Sequence, residues 1–366
     1  MVSIIGAGPV GNYLAAKLAK KGLKVDVYEE HKKIGAPVAC TGILTPYIRD
    51  LIKIDETYVV NKINETYVYS PDGNQVKIKL KKNYIVDRTL FDSSLAKIAK
   101  SEGAKYHLGK RLTSLKLGNE HKLKFSNEII KDATVIGADG PNTFVGRSAG
   151  LFENRKFVAG HQARVKLKEK IDSNVVEFFV DEGNYIGWLV PETDKIARVG
   201  VASHKNVGKY FKDLMKRREG KILGWQSGAI PVYDPKTNIE TKGVYLIGDA
   251  ATQVKATTYG GIIPGMKAAD ILTDVLSENK TAGSYQNGVK KTIGKNLLSH
   301  LMIRKLMNRF SKEDYNKLIQ LCEKKSVKDL IYKYDREYAS KLLFKLLINQ
   351  PKFASFGKCL FRKEII

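Results

Sequence analysis

Val2-Ser3-Ile4-Ile5-Gly6-Ala7-Gly8-Pro9-Val10-Gly11 is the stretch on which the reading of the fold turns. A short apolar run leads into three spaced glycines, and a helix-period segment follows as far as Lys21-Gly22. A second apolar run, Val25 to Tyr28, closes the unit on Glu29. Each part has a task in holding an ADP group. Gly6 permits a tight turn out of the strand, Gly8 lets the backbone approach a pyrophosphate, and Gly11 lets the helix lie close on the sheet. The helix turns its unpaired N–H groups and positive dipole end toward the phosphates. Glu29 stands eighteen residues beyond Gly11, where a carboxylate accepts from ribose hydroxyls. The same carboxylate would repel a free 2′-phosphate, so NADP suits the site poorly. The spacing predicts a dinucleotide site on a β-α-β unit; the alternative is a glycine turn that only packs a helix on a strand.

Working outward, the 366 residues suffice for two domains, or one with insertions, around a sizeable core. The formal net charge of +25 predicts an electropositive surface and anionic partners: an anionic membrane, a phosphorylated substrate or an acidic redox protein. Nucleic acid has only net charge behind it and is not expected. Cys40, Cys322 and Cys359 are widely spaced, which supports neither a disulfide framework nor a metal site. A strand starting at Val2 leaves no room for a signal peptide, and no run approaches a membrane span. The expected location is cytoplasmic, with peripheral contact at the membrane inner face as an extension of that reading.

After Glu29, the loop His31 to Leu44 is rich in Gly and Pro yet apolar, a composition that suits a loop held against a ligand. Cys40 lies within it, either close to that ligand or as an inert buried thiol. Tyr58 to Leu80 alternates around Pro71-Asp72-Gly73 and predicts a hairpin of an inserted sheet. Ile85-Val86-Asp87-Arg88 enters a helix whose face carries Phe91, Leu95, Ile98 and Ala99. Arg88 is a clamp for a phosphate or ribityl chain, or else a surface partner of Asp87 or Asp92. Leu108 to Leu117 and Lys122 to Phe125 read as strands, and Ala133 to Gly137 as a buried strand ending in Ala138-Asp139-Gly140.

Val175 to Val180, Tyr185 to Val190 and Ala197 to Ala202 predict a meander, with turns at Asp181-Glu182-Gly183 and Glu192-Thr193-Asp194. One face of such a sheet can floor a pocket, with Tyr185 and Trp188 as lining or as core aromatics. Gly243 to Ile247 is a further strand, ending in Gly248-Asp249-Ala250-Ala251. Gly260-Gly261-Ile262-Ile263-Pro264-Gly265 then opens a helix. An aspartate at a strand end can accept from a polyol, and a helix N-terminus can sit over a ring that gains negative charge on reduction. A flavin has both groups and a nicotinamide neither. From Tyr285 onward the chain is helix-like, with 19 Lys and Arg against 7 acids. Those helices can cover a groove, lie on anionic lipid or cap a domain; Leu342, Leu343, Leu346 and Leu347 form an apolar stripe in them.

These motifs resemble the two-dinucleotide-binding-domain flavoproteins of the p-hydroxybenzoate hydroxylase fold. Among them the chain is most similar to the geranylgeranyl reductase family, especially the archaeal digeranylgeranylglycerophospholipid reductases. The resemblance covers about residues 2 to 285, and the Gly35-x-Pro37-Val38-x-Cys40 loop carries its reductase part. It implies an α/β Rossmann-like (GR2 type) FAD-binding domain made of 1–50, 84–155 and 240–285. An inserted antiparallel β-sheet substrate domain would be made of 51–83 and 156–239, with a C-terminal helical region over 286–366. The implied roles follow residue by residue. Val10 lies by the pyrophosphate that the Gly6, Gly8 and Gly11 turn approaches, Glu29 holds the adenosine ribose, and Arg88 and Leu112 border the FAD. Cys40 and Thr41 line the flavin and substrate side, and Asp249, Gly261 and Ile262 hold the ribityl chain and ring. Trp188 and Pro191 wall the pocket. The family's Y-x-W-x-F-P strand is here Ile186-Gly187-Trp188-Leu189-Val190-Pro191, with Tyr185 displaced. Its G-x-G is Gly200-Val201-Ala202, and Ala256 and Tyr259 replace a common proline and glycine.

The expected reaction is saturation of carbon–carbon double bonds in the prenyl chain of a lipid precursor. An isolated alkene does not stabilise a carbanion, so a proton must accompany or precede hydride. Cys40 is the first candidate donor, Tyr185 the second, with bound water as a further source. No second G-x-G-x-x-G is present, so electrons are expected from an external donor, ferredoxin or NAD(P)H. Alternative readings are a flavin monooxygenase or halogenase of the same fold and a non-catalytic prenyl-lipid carrier. Thr252, where the former often have histidine, and the lone Trp188 of its strand argue against the first two. Intact Asp249, Gly260 and Gly261 argue against the carrier.

Overall fold

The computed structural model describes every residue except Asn127, Glu153, Glu182, Gly183, Asn184, Ile365 and Ile366. The expected turn at Asp181-Glu182-Gly183 therefore falls largely outside the described residues. The chain forms two units: Met1–Val38, Arg88–Lys156 and Ile230–Leu298 make the first, and Ala39–Asp87, Phe157–Ala229 and Ser299–Ile366 the second.

The first unit is built on strand β1 (Val2–Ile5), helix α1 (Pro9–Lys20) and strand β2 (Val25–Glu29). β1 pairs in parallel with β2 and with Thr134–Gly137, which pairs in parallel with Val244–Leu246. Lys105–Leu108 extends the sheet beyond β2, and Glu240–Thr241 runs antiparallel at the other edge. Helices cover such a sheet, so its central strands are apolar throughout; Ile4, Val27, Val135, Ile136 and Leu246 are fully buried. Leu14 and Leu18 of α1 and Phe91, Leu95 and Ala99 of α2 (Arg88–Ser101) complete this core. Ile98, expected on the same face, is 46% exposed. At 100° per residue it lies at the border of the stripe, whose buried centre is Leu95, Asp92, Ala96 and Ala99. The expected strand over 108–117 is two strands, Lys105–Leu108 and Ser114–Lys116, the latter in a separate three-stranded antiparallel sheet with His121–Phe125 and Glu128–Asp132. Gly109, at φ +69°, turns the chain between them. Tyr28 lies between His107 and Phe125, with ring centroids 4.6 and 4.4 Å away.

The second unit is an eight-stranded sheet in which both predicted alternating blocks meet. Its spatial order is Gly220–Pro231, Phe157–Leu167, Ile196–Ser203, Ile186–Pro191, Val175–Val180, Val59–Tyr69, Gln75–Val86 and Ile43–Leu44. Val175–Val180 pairs in parallel with Val59–Tyr69, and the flanking ladders are antiparallel. That parallel junction joins the hairpin to the meander. Period-two alternation divides the faces. Ala163, Val165, Phe179, Leu189, Val199 and Val201 pack with Phe211 and Leu214 of the helix Val207–Arg217, while Ile63, Ile85, Val176 and Val190 form a cluster of their own. From Ser299 the remaining chain is helical; Phe310, Tyr315, Val327, Phe353 and Phe356 make its core.

Two glycines with opposite surroundings test this packing. A Cβ on Gly11 would lie 2.3 Å from the Gly6 carbonyl oxygen, whereas one on Gly208, exposed in the helix Val207–Arg217, meets nothing within 4 Å. Urea denaturation is expected to show Gly11→Ala destabilising by about 1–3 kcal/mol. Gly208→Ala should stabilise by roughly 0.4–1 kcal/mol.

Candidate dinucleotide and substrate sites

The carboxyl ends of the parallel strands place the nucleotide motifs side by side, as is general for such sheets. Gly6 (φ +106°) turns sharply out of β1; a Cβ there would stand 2.4 Å from the Ala138 carbonyl oxygen. Gly8 behaves differently, since a Cβ on it would point into open space, the cradle a phosphate backbone needs. α1 begins immediately after it with no side-chain cap and no acid in its first turn, so its leading N–H groups have no side-chain acceptor. Glu29 Oε2 accepts from the Ala7 N–H at 2.8 Å, and Oε1 from the His31 N–H at 2.9 Å. The His31 ring Nδ1 is 2.6 Å from the same oxygen. A carboxylate offers about four acceptor positions, so this one is oriented by the turn with capacity left for a ribose.

Val10 joins the two halves of the motif set. It lies beneath Gly248 (φ +65°), and a Cβ on Gly265 would strike its Cγ2 at 2.6 Å. The opening turn of α1 and that of the helix Ile262–Ser277 therefore converge, and Asp249 sits with Gly261, whose Cβ would lie 2.7 Å from Asp249 Oδ1. That helix also starts without a side-chain cap or an acid, so a second positive dipole end faces Asp249. Loss of hydration pushes Asp249 up to about 6, and the Arg88 guanidinium works against that shift. Arg88 donates to Asp92 from Nε (3.1 Å) and Nη2 (2.8 Å), with its side chain only 12% exposed. It is thus the partner of Asp92 that one alternative foresaw, though not on the surface. Asn12 locks the arrangement: its amide donates to the Ala7 and Asp92 carbonyls and its oxygen accepts from Tyr106 Oη. Leu112 is buried just beyond Lys110, whose N–H donates to the Glu29 carbonyl. Asp139 caps the short helix Phe144–Ser148 through the Val145 N–H, and burial raises its pKa. Tyr259, at the position of a common family glycine, keeps a left-handed φ of +55°. Beside it Lys255 is buried, its Cε 3.2 Å from where a Gly260 Cβ would be. Nothing in the sequence pattern had marked Lys255; a lysine within a run of small and apolar residues was the available signal.

In the second unit the Cys40 loop is tied down by polar side chains that motif spacing does not identify. Gln162 Oε1 accepts both from Thr41 Oγ1 at 2.7 Å and from Trp188 Nε1 at 2.9 Å, and the Gln162 amide donates to Gln226. Arg198, nearly buried, donates to the carbonyls of Thr41 and Val86 and to Glu192 Oε1. The half-buried Cys40 Sγ accepts from the Gly42 N–H at 3.3 Å. Trp188 lies over Gly200, directly across the ladder, where a Cβ would come within 2.6 Å of the indole. Hence Gly200 of the departed G-x-G must stay glycine, while Ala202 is accommodated in the core. Pro191 is buried, and its carbonyl accepts from Asn61. Tyr185 is not brought to this group. It stacks on Tyr210 at 4.4 Å in the cluster on the opposite face of the sheet from Trp188, and burial pushes it up to about 12. It shares that face with Gly187 and Leu189, toward the helix Val207–Arg217, whereas Trp188 points to the other. Among the described residues no cluster of metal-ligating side chains occurs.

Residues 4–41 match the NAD(P)-binding Rossmann-like domain model. A geranylgeranyl bacteriochlorophyll reductase-like protein from Thermoplasma acidophilum superposes with a TM-score of 0.81 at 22% identity, covering 94% of this chain and 98% of its own. A flavin-dependent brominase gives 0.74 at 18%, covering 96% and 99%. These two show the fold. In sequence, the digeranylgeranylglycerophospholipid reductase of Methanocaldococcus jannaschii is 28% identical over 87% of this chain and 89% of its own. That of Methanothrix thermoacetophila is 31% identical over 89% and 92%. With that identity sustained over nearly both full lengths, the chain belongs to the digeranylgeranylglycerophospholipid reductase family of FAD-dependent oxidoreductases.

Proposed function

We propose that this protein uses FAD to saturate double bonds of geranylgeranyl chains on an archaeal-type membrane lipid precursor. The observation that carries the reading is the meeting, at Val10, of the Gly6–Gly11 turn with the Gly248-Asp249 and Gly261–Gly265 turns, in a chain whose relatives bear that reductase name. Glu29 would hold the adenosine ribose, the α1 amides the pyrophosphate, and Asp249 the ribityl hydroxyls. FAD would supply the hydride equivalent. The helix Ile262–Ser277 would stabilise negative charge through its amino end. Electrons would come from an external donor, ferredoxin or NAD(P)H.

The chain's own contribution to the chemistry is a positioned proton and the exclusion of water. Cys40 is the proposed donor to the alkene. Its sulfur lone pair is engaged by the Gly42 N–H and its neighbour Thr41 is held at both Oγ1 and carbonyl, so the S–H is presented from a fixed loop. Trp188, held by Gln162, supplies an apolar wall suited to an isoprenoid chain. A lipid precursor incubated with the dithionite-reduced holoprotein should gain mass in steps of two hydrogens; an unchanged spectrum would refute the reaction. Cys40→Ala is expected to lower that rate by about 10²–10⁴ at unchanged flavin content. A rate equal to wild type would remove Cys40 from the mechanism.

Asp249 gives a test by pH. Hydroxyl donors favour the ionised carboxylate, so its pKa in the complex lies below the value of about 6 in the free protein. FAD affinity is then full above that pH and falls as pH drops through it. Titrating apoprotein with FAD by fluorescence should show the fall. Asp249→Asn should flatten the profile and weaken binding roughly 10–100-fold at neutral pH. An unchanged profile in the variant would place the titrating group elsewhere.

A further inference from the structure

The helix Ala339–Asn349 presents two unlike faces. Ala339 is buried and Leu346 packs on the Phe310–Phe356 core, whereas Leu343, Phe344, Leu347 and Ile348 stand in solvent, Phe344 61% and Ile348 57% exposed. Spaced i, i+1, i+4 and i+5, these four form one stripe. The helix packs on the following segment, Pro351–Phe361, where Leu360 is also exposed and Phe361 is 94% exposed. Scattered surface hydrophobics are ordinary, but four on one helix face, with two more exposed on the segment packed against that helix, mark an interaction surface.

Charge identifies what covers it. Between Tyr338 and Lys363 the sequence has Lys341, Lys345, Lys352, Lys358, Arg362 and Lys363 and no Asp or Glu. Arg362 and Lys358 lean on Asp314, and the stretch also carries Lys341, Lys345, Lys352 and Lys363. A second copy docked here about a two-fold axis would set these cations against themselves. A protein partner is disfavoured by residue type: interface anchors are chiefly Trp, Tyr and Arg with Leu under-represented, and the stripe is Leu, Ile and Phe. Aliphatic and phenyl groups with long cationic side chains beside them suit the boundary between lipid headgroups and acyl chains, where lysines extend to the phosphates.

We propose that the helix Ala339–Asn349 and the segment Pro351–Phe361 form the surface by which this protein rests on an anionic lipid bilayer. The contact lies in the plane of the membrane; no helix among the described residues is long and apolar enough to cross it. The inference stands on exposure and charge and does not require the reductase reading.

Full-length holoprotein should be sedimented with vesicles of phosphatidylcholine alone and of phosphatidylcholine with phosphatidylglycerol. Wild type is expected to bind the anionic vesicles and not the neutral ones. The combined variant Phe344→Ser, Ile348→Ser, Phe361→Ser should lose at least about 10-fold in affinity. Lys341→Glu, Lys345→Glu, Lys352→Glu should lose a similar factor. Circular dichroism and flavin content report whether each variant is folded. Equal binding by folded variants, or equal binding to neutral vesicles, overturns the proposal. So does a wild-type dimer that the Ser variant abolishes, which would make this a self-association face. Capture of an acidic ferredoxin without vesicle binding overturns it too. Reduction of a detergent-dispersed prenyl lipid, followed in parallel, bears on the reductase reading alone, so either idea can fail while the other stands.

Discussion

Backbone approach closer than any side chain permits is the constraint on which the nucleotide-binding unit depends. Gly6 lies against Ala138, Gly11 against Gly6, Gly261 against Asp249, and Gly265 against Val10, each at a distance a Cβ would violate. These contacts draw the amino ends of two helices and the carboxyl ends of adjacent parallel strands toward one patch. Two uncapped dipoles there create a site for anionic groups. The polar residues around it hold the frame and retain capacity for a ligand. Glu29 is fixed by two backbone N–H groups, and Arg88, Asp92, Asn12 and Tyr106 knit α1, α2 and the Lys105–Leu108 strand together.

The second unit solves a different problem, that of giving one sheet two chemistries. One face is apolar and packs on a helix through Phe211 and Leu214. The other carries Gln162, Arg198 and Trp188, and these hold the loop with Cys40 and Thr41. A single oxygen, Gln162 Oε1, accepts from both loop and indole, so the positions of the two are coupled. A buried polar group this well partnered specifies geometry rather than adding much stability.

The nucleotide half of the candidate site was legible at sequence level because its signals are short range. Glycine spacing, strand apolarity and the interval to Glu29 all lie within one β-α-β unit, and Gly248-Asp249 with Gly261 repeats the pattern locally. Strand limits blurred where alternation was weak, as over 108–117, and Ile98 showed that helical period alone cannot say how far a neighbour reaches. Gln162, Arg198 and Lys255 carry no motif. Thr41 and Gln162 are 121 residues apart in the chain, and Arg198 and Thr41 are 157 apart.

By itself, then, the amino-acid order determined the parallel nucleotide unit, the inserted alternating strands and the basic helical end, since periodicity and turn chemistry act over neighbouring residues. Only the tertiary structure decided which residues of the strands come together. It set Trp188 with Gln162 and Thr41 and turned Tyr185 away into the core. It also left Phe344, Ile348 and Phe361 in water among lysines. The reason is physical: a strand's two faces are equivalent until pairing register and a packing partner distinguish them, and both come from residues far away in the chain.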